Sequence, residues 1–262
     1  MSSPDLITTY GFTAVPASAS ALLTSTPAYP PPSAPAPYIP VSETPVPDTP
    51  LAQRIQAYAR ERLPEPTYNH CLRVYHYGLA IKRYRFPFPA WGFTDETFFL
   101  ACMLHDIGTT EASQRATRLS FEFHGGLRAL EVLRRRPEAG ETAMEADAVG
   151  AVGGIAPTEQ AESVAEAIIR HQDLCEGGKI TAVGQLLQLA TIFDNTGTHA
   201  HLIHPSTIAD VSKHCPRQQW SDCFAATIRR ENSLKPWAHT TALGEEAFPN
   251  RVLGNTLMAP YE

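Results

Sequence analysis

From Leu51 onward, apolar residues recur at helical spacing. In "LAQRIQAYARERL" the positions Leu51, Ile55, Tyr58, Ala59 and Leu63 fall close to a 3.6-residue period, which predicts a helix with one buried stripe. Pro64 and Pro66 interrupt it, because proline lacks the amide donor that a helix interior needs. "TYNHCLRVYHYGLAIKRY" resumes the pattern through Leu72, Tyr75, Leu79 and Tyr84. "FTDETFFLACMLHDIG" opens with Thr94 as an N-cap and acids in its first turn, and has Gly108 near its end. The pattern predicts a helix across that stretch. Four more are expected in "FHGGLRALEVLRRR", "TEQAESVAEAIIRHQD", "ITAVGQLLQLATIFDNTG" and "WSDCFAATIRREN". No run alternates convincingly as a strand, and no fixed-period repeat is visible.

Upstream the pattern changes. Ten prolines lie between Pro27 and Pro50. With φ locked and the donors gone, neither a helix nor a central strand is expected there, only an extended, polyproline-like linker or surface strap, or a disordered spacer. Before it, "TYGFTAVPAS" offers Tyr10, Phe12 and Val15 to an apolar patch. The expected class is therefore all-α: one helical domain over residues 51–262 behind a proline-rich arm over residues 1–50.

Composition narrows the function. Of the 262 residues 43% are hydrophobic, enough for a sizeable core, and the formal net charge is −6. With a pI near 5.9 there is no basic footprint, so nucleic acid and anionic membrane surfaces are not expected partners. The five cysteines, Cys71, Cys102, Cys175, Cys215 and Cys223, form no C-x-x-C pair and suggest reduced thiols in a reducing compartment. No apolar run approaches the roughly 18 residues of a membrane span. "MSSPDLITTYGF" lacks the basic-then-apolar pattern of a secretory signal, and the expected location is the cytoplasm.

The chemistry starts at "LACMLHDIGTTEA", where His105 and Asp106 stand side by side at the end of an apolar run. Burying an unpaired charge costs several kcal/mol, so the pair needs solvent or a partner. Matching residues elsewhere are His70, His124, His171 and Asp194. Asp194 ends the apolar run "LLQLATIFDN", a costly place for a carboxylate unless it is ionised against a cation. Adjacent residues on a helix diverge by about 100°, so one ion serves both His105 and Asp106 only if it lies against their helix and other helices complete its sphere. Imidazoles and carboxylates from separate helices suit zinc, iron or manganese, with water at an open position.

The order His…His-Asp…Asp on successive helices resembles the HD-domain metalloenzyme superfamily. "TYNHCLRVYHYG", "LHDIGTTEA", "LSFEFHGGLRALEVL", "VAEAIIRHQDL", "GKITAVGQLLQLATIFDNTG", "CFAATIRRENSLKPWAHTT" and "NTLMAPYE" more narrowly resemble the fungal cyanamide hydratases. The resemblance runs from about Leu51 to Glu262, with a fainter echo in "GFTAVPAS". It implies a single HD-domain helical bundle with one zinc ion per chain held by His70, His105, Asp106 and Asp194. The implied reaction is hydration of cyanamide, or a related small nitrile or isonitrile, to urea or the corresponding amide, as detoxification or specialised metabolism. Zinc lowers the pKa of bound water from 15.7 to about 7, so metal-bound hydroxide is available to attack the nitrile carbon at neutral pH. Asp106 would then be ligand and catalytic residue at once. His171, followed by Gln172 and Asp173, is the expected acid or base, or else it orients a ligand. Asn195 and Thr110 are further polar contacts.

His124 stands where the resembling family has another aromatic residue. Adding His124 and His171 to the other four residues gives a set able to hold a second metal, iron included. That would make a dinuclear HD-domain oxygenase or phosphohydrolase. No Lys- or Arg-rich sequence adjoins "LHDIGTT", which weakens a phosphate substrate. A third reading is a non-catalytic binding module whose arm recruits partners, and the intact ligand residues argue against it. A homo-oligomer rests on the resemblance alone. "KPWAHTT", around Trp237 and His239, matches the family but suggests no chemistry by itself.

Overall fold

The computed structural model describes residues 5–25, 34–87, 89–135 and 154–262. Residues 1–4 and 26–33, the latter holding four of the arm's prolines, lie outside them. In chain order the described elements are α1 (Leu6–Thr9), β1 (Ala14–Pro16), α2 (Ala19–Ser25), α3 (Pro50–Arg62), α4 (Glu65–Arg85), α5 (Asp95–Leu104), α6 (Glu111–Ala116), α7 (Phe121–Arg134), α8 (Thr158–Arg170), β2 (Lys179–Thr181), α9 (Ala182–Thr196), α10 (Pro205–His214), α11 (Trp220–Leu234) and α12 (Ala247–Leu253). The class is all-α apart from one two-stranded antiparallel pairing, in which Val15 of β1 lies opposite Ile180 of β2.

Threonine caps start three of the helices, Thr94 among them as the sequence suggests. Thr49, Thr94 and Thr181 each accept the amide of the residue three positions on, at 3.1, 3.2 and 3.1 Å. Such a cap contributes about 1 kcal/mol. α4 runs through the centre of the molecule: Cys71, Val74, Tyr75, Tyr77 and Ile81 are buried together with the polar His70, Arg73 and His76. Gly78 permits this crowding, since a Cβ there would lie 2.2 Å from the Phe98 ring of α5. A smaller apolar cluster joins Ile192 of α9 to Trp220, Phe224 and Ile228 of α11 and Phe248 and Val252 of α12.

Two features depart from the sequence expectation, and a third takes up the surface strap it allowed. First, α5 stops at Leu104, and His105 and Asp106 lie in the turn that follows rather than on the helix. His105 keeps helical φ −62° and ψ −33°, and Asp106 has φ −100° and ψ 10°, so the chain leaves the helical path only after the pair. Second, Lys179–Thr181 is a strand and α9 begins only at Ala182, because those backbone groups pair with residues 14–16 instead of entering the helix.

Third, the described part of the arm is laid onto the helices. The Ile39 amide donates to Thr207 Oγ1 at 2.9 Å and the Val41 amide to Asp210 Oδ2 at 2.8 Å, both on α10. Tyr75 and Tyr84 of α4 donate their hydroxyls to the carbonyls of Pro45 and Ala34. Val15, Ala17, Leu22 and Ala36 join the main core, so residues 5–25 and 34–49 share it with the helical domain. Proline leaves the carbonyl as its backbone hydrogen-bonding group, and tyrosines on α4 meet carbonyls of this stretch.

Candidate metal centre

Three donor atoms converge where α4 passes the turn after α5. His70 Nε2 lies 3.2 Å from His105 Nε2 and 3.7 Å from Asp106 Oδ2, and His105 Nε2 lies 3.4 Å from the same oxygen. All three side chains are buried. His70 completes the set from a second helix, α4. Gly108 then brings the turn against the start of α7, where a Cβ would sit 2.2 Å from the Phe121 carbonyl oxygen.

The outer edges of both imidazoles dictate what their inner edges can do. His105 Nδ1 faces the Cys102 carbonyl oxygen at 2.7 Å, and His70 Nδ1 faces Asp194 Oδ2 at 2.6 Å. Both partners only accept, so each Nδ1 carries the proton. Burial keeps the rings neutral, lowering His70 to about 4 and His105 to about 3. Each Nε2 therefore presents a lone pair. The third member, Asp106, has two buried oxygens without a hydrogen-bond partner, and burial raises its pKa. Two lone pairs and an orphaned carboxylate facing one another repel unless a cation joins them. This donor set fits a divalent transition metal, and a carboxylate or carbonyl behind each ligating histidine is the usual support.

Asp194, placed by α9, sits one imidazole away from those donors. Arg73 Nε lies 3.0 Å from its Oδ1 and Arg73 Nη2 2.9 Å from its Oδ2, while Arg217 Nη1 reaches Oδ1 at 2.8 Å. Despite complete burial, these arginines and His70 hold the carboxyl well below the usual carboxylate range. The cation that the apolar run demanded is thus a pair of arginines. Arg73 was findable in the sequence, being three positions beyond His70 and so on the same face of α4. Arg217 had no local signal. Asn195 accepts the Trp220 indole N–H at 2.8 Å, and that indole stacks on His70 with centroids 4.1 Å apart and planes 14° apart. Asn195 therefore serves the site through Trp220.

His171, the first residue after α8, approaches the centre edge-on. Its ring centroid is 5.2 Å from His105 and 5.6 Å from Phe121. Its Nδ1 donates to the Ile168 carbonyl at 2.6 Å, leaving Nε2 to accept. His124 does not join: it is half-buried on α7, with Arg128 and Lys235 adding to the burial that lowers its pKa. Among the described residues the one group of three or more metal-capable side chains is His70, His105 and Asp106. Thr110 caps α6, accepting the Ser113 amide at 3.2 Å, and lines a cavity of about 300 Å³ with Tyr58, Arg62 and Arg128 that none of the three donors borders. Arginines do reach the centre from distant sequence, Arg230 among them, whose Nη2 donates to the Thr109 carbonyl at 3.1 Å. Each is committed to a partner already named or to Gln114.

Comparison with known proteins agrees with this architecture. Residues 67–196 match the HD domain, a range that holds His70, His105, Asp106 and Asp194. Two curated relatives from Saccharomyces cerevisiae (strain ATCC 204508 / S288c), cyanamide hydratase DDI2 and cyanamide hydratase DDI3, are each 41% identical over 205 residues. The alignment covers 78% of this chain and 82% of each relative. The chain belongs to the cyanamide hydratase family of the HD-domain superfamily.

Proposed function

We propose that this chain is a zinc-dependent hydro-lyase that adds water to cyanamide, or to a related small nitrile or isonitrile, giving urea or the corresponding amide. The observation that carries the reading is the orphaned Asp106 carboxylate among two inward-facing imidazole lone pairs, in a chain 41% identical to two cyanamide hydratases. His70, His105 and Asp106 would hold the ion. Asp194 serves it through His70 as the chain stands here, and directly if its carboxylate trades the Nδ1 bond for the metal. When bound, zinc lowers the pKa of a coordinated water to about 7 and polarises an electron-rich ligand atom.

The remaining work falls to the chain itself. His171, pinned through Nδ1, offers Nε2 to hold a proton beside the centre. Proton transfer by such a positioned group supplies about 10²- to 10⁴-fold in rate. Trp220, Phe224 and Phe121 wall the site with rings that exclude bulk water. No redox step is required. A dinuclear oxygenase or phosphohydrolase gains no support, since His124 stands apart from the donors. Five free cysteines suit the reducing cytoplasm, and no helix among the described residues is long and apolar enough to cross a membrane.

The decisive experiment couples metal analysis to urea formation from cyanamide, for wild type and Asp106→Ala. About one zinc per chain with urea formed by wild type alone supports the reading. Two irons per chain and no urea would overturn it.

A further inference from the structure

The segment after α11 carries the motif that the proposed chemistry leaves unused. Lys235 Nζ donates to the Leu119 carbonyl at 2.6 Å, Trp237 Nε1 to the Arg118 carbonyl at 3.0 Å, and the His239 amide to Ser120 Oγ at 2.9 Å. These three bonds strap residues 235–239 across the entry to α7. They deliver the His239 ring between two carboxylates: Nδ1 lies 3.0 Å from Glu122 Oε1, and Nε2 lies 3.0 Å from Asp173 Oδ1. A neutral imidazole has one N–H, so with both carboxylates ionised both contacts are hydrogen bonds only when the ring is an imidazolium. Glu122 and Asp173 accordingly raise the His239 pKa.

Burial gives this row a direction. The Glu122 side chain is 0% exposed, whereas those of His239 and Asp173 are 29% and 23% exposed. Glu122 occupies the first turn of α7, the same turn that meets Gly108 and, through Phe121, the His171 ring. Its Oε1 also accepts from Thr240 at 3.4 Å, but its Oε2 is buried and has no partner. Its charge is felt at Asp106. An unpaired buried carboxylate oxygen near the metal donors, wired to solvent through an imidazolium, is an arrangement for moving protons.

We propose that Glu122, His239 and Asp173 form a proton relay between the metal pocket and the surface, a role that rests on the hydratase reading above. Hydration converts the two C–N π bonds of the nitrile and the two O–H bonds of water into one C=O double bond and two N–H bonds at the former nitrile nitrogen. Each proton leaves oxygen and arrives at nitrogen. A store that gives one proton and takes one back connects the two events with no net change. His239 passes its Nδ1 proton to Glu122 and later recovers one from it, while Asp173 holds the ring through Nε2. The other charges facing this row are Arg170, 3.0 Å from Asp173 Oδ2, and the buried Lys235–Glu231 pair beside the α7 entry. His239 and Asp173 are positioning residues, acting through Glu122.

The test uses the zinc-loaded enzyme with cyanamide. His239→Ala is expected to lower kcat by about 10- to 100-fold, a fraction of the general acid–base range, with KM and bound zinc unchanged. Added imidazole should restore most of the loss, because the vacated site is part-exposed. Glu122→Gln, whose amide cannot take up a proton, should lower kcat at least as far, and added imidazole should not restore it. A kcat within twofold of wild type in either variant, or a loss in His239→Ala that imidazole does not repair, overturns the relay. Zinc-loaded wild type that makes no urea overturns the hydratase reading instead. The pairing is then judged without substrate, by ¹⁵N titration of the His239 ring: a pKa that fails to drop in Glu122→Gln overturns it.

Discussion

Asp194 accepts a hydrogen bond from the Nδ1 edge of His70 at 2.6 Å, and the opposite nitrogen of the same ring lies 3.7 Å from Asp106. One imidazole thus separates a carboxylate whose charge is fully matched from one whose charge is not matched at all. That contrast assigns the two acids different parts, and each can be measured.

Asp106 should weaken the chain whenever metal is missing. Its two unpaired buried oxygens predict that chelation lowers the melting temperature of wild type. Asp106→Ala should be insensitive to chelator and at least as stable as the metal-free wild type. A ligand present at about 1,000 times its Kd stabilises by about 4 kcal/mol. Thermal unfolding with and without a chelator reads the difference directly.

Removing Asp194 should be far more damaging. Asp194→Ala would leave the buried guanidinium groups of Arg73 and Arg217 without their carboxylate. Breaking a buried pair from one side costs about 3–5 kcal/mol, so denaturant melts should show a loss of that order. Replacing Arg217 by Met in the same chain should recover part of it, because one of the stranded charges is gone.

His124→Ala should leave zinc stoichiometry and urea production within twofold of wild type, since the ring lies apart from the donor cluster. Loss of a second bound metal in that variant would revive the dinuclear reading.

The strap should respond to acid through His76. This buried ring contacts Thr44 Oγ1 at 2.7 Å, and burial lowers its pKa from 6.5 to about 4. The unfolded chain binds the proton more readily, so His76 favours folding fully above about pH 6.5. That contribution, up to about 3 kcal/mol, is lost as pH falls from 6.5 toward 4. His70 and His105 shift the same way, so the slope of stability with pH must be compared between wild type and His76→Phe. An equal slope would show that His76 plays no part.

Much of this was legible along the chain. Helices α3, α4, α7, α8 and α11 follow runs of apolar periodicity and match the expected segments to within a few residues. The short helices α1, α2, α6, α10 and α12 were missed, being too brief for a period to stand out. Thr110, expected as a polar contact, caps α6 and lines a cavity that none of the three donors borders. His239 was singled out without a chemistry and Glu122 was passed over, because neither has a role until the other is beside it, and they are 117 positions apart.

What the sequence by itself determined is what neighbours within a turn or two can decide: which longer stretches become helices, where Thr94 caps α5, and which residue types are available as ligands. The tertiary structure alone decided where charges find their partners. Asp194 needed a cation on any reading of its apolar run, yet Arg217 reaches it from another element, and His70 lies 124 positions away. The turn after Leu104 belongs with these. Its direction depends on Gly108 fitting under Phe121, a steric fit between segments that no local pattern encodes. Electrostatic pairing and close packing act through space, and only the folded chain sets those distances.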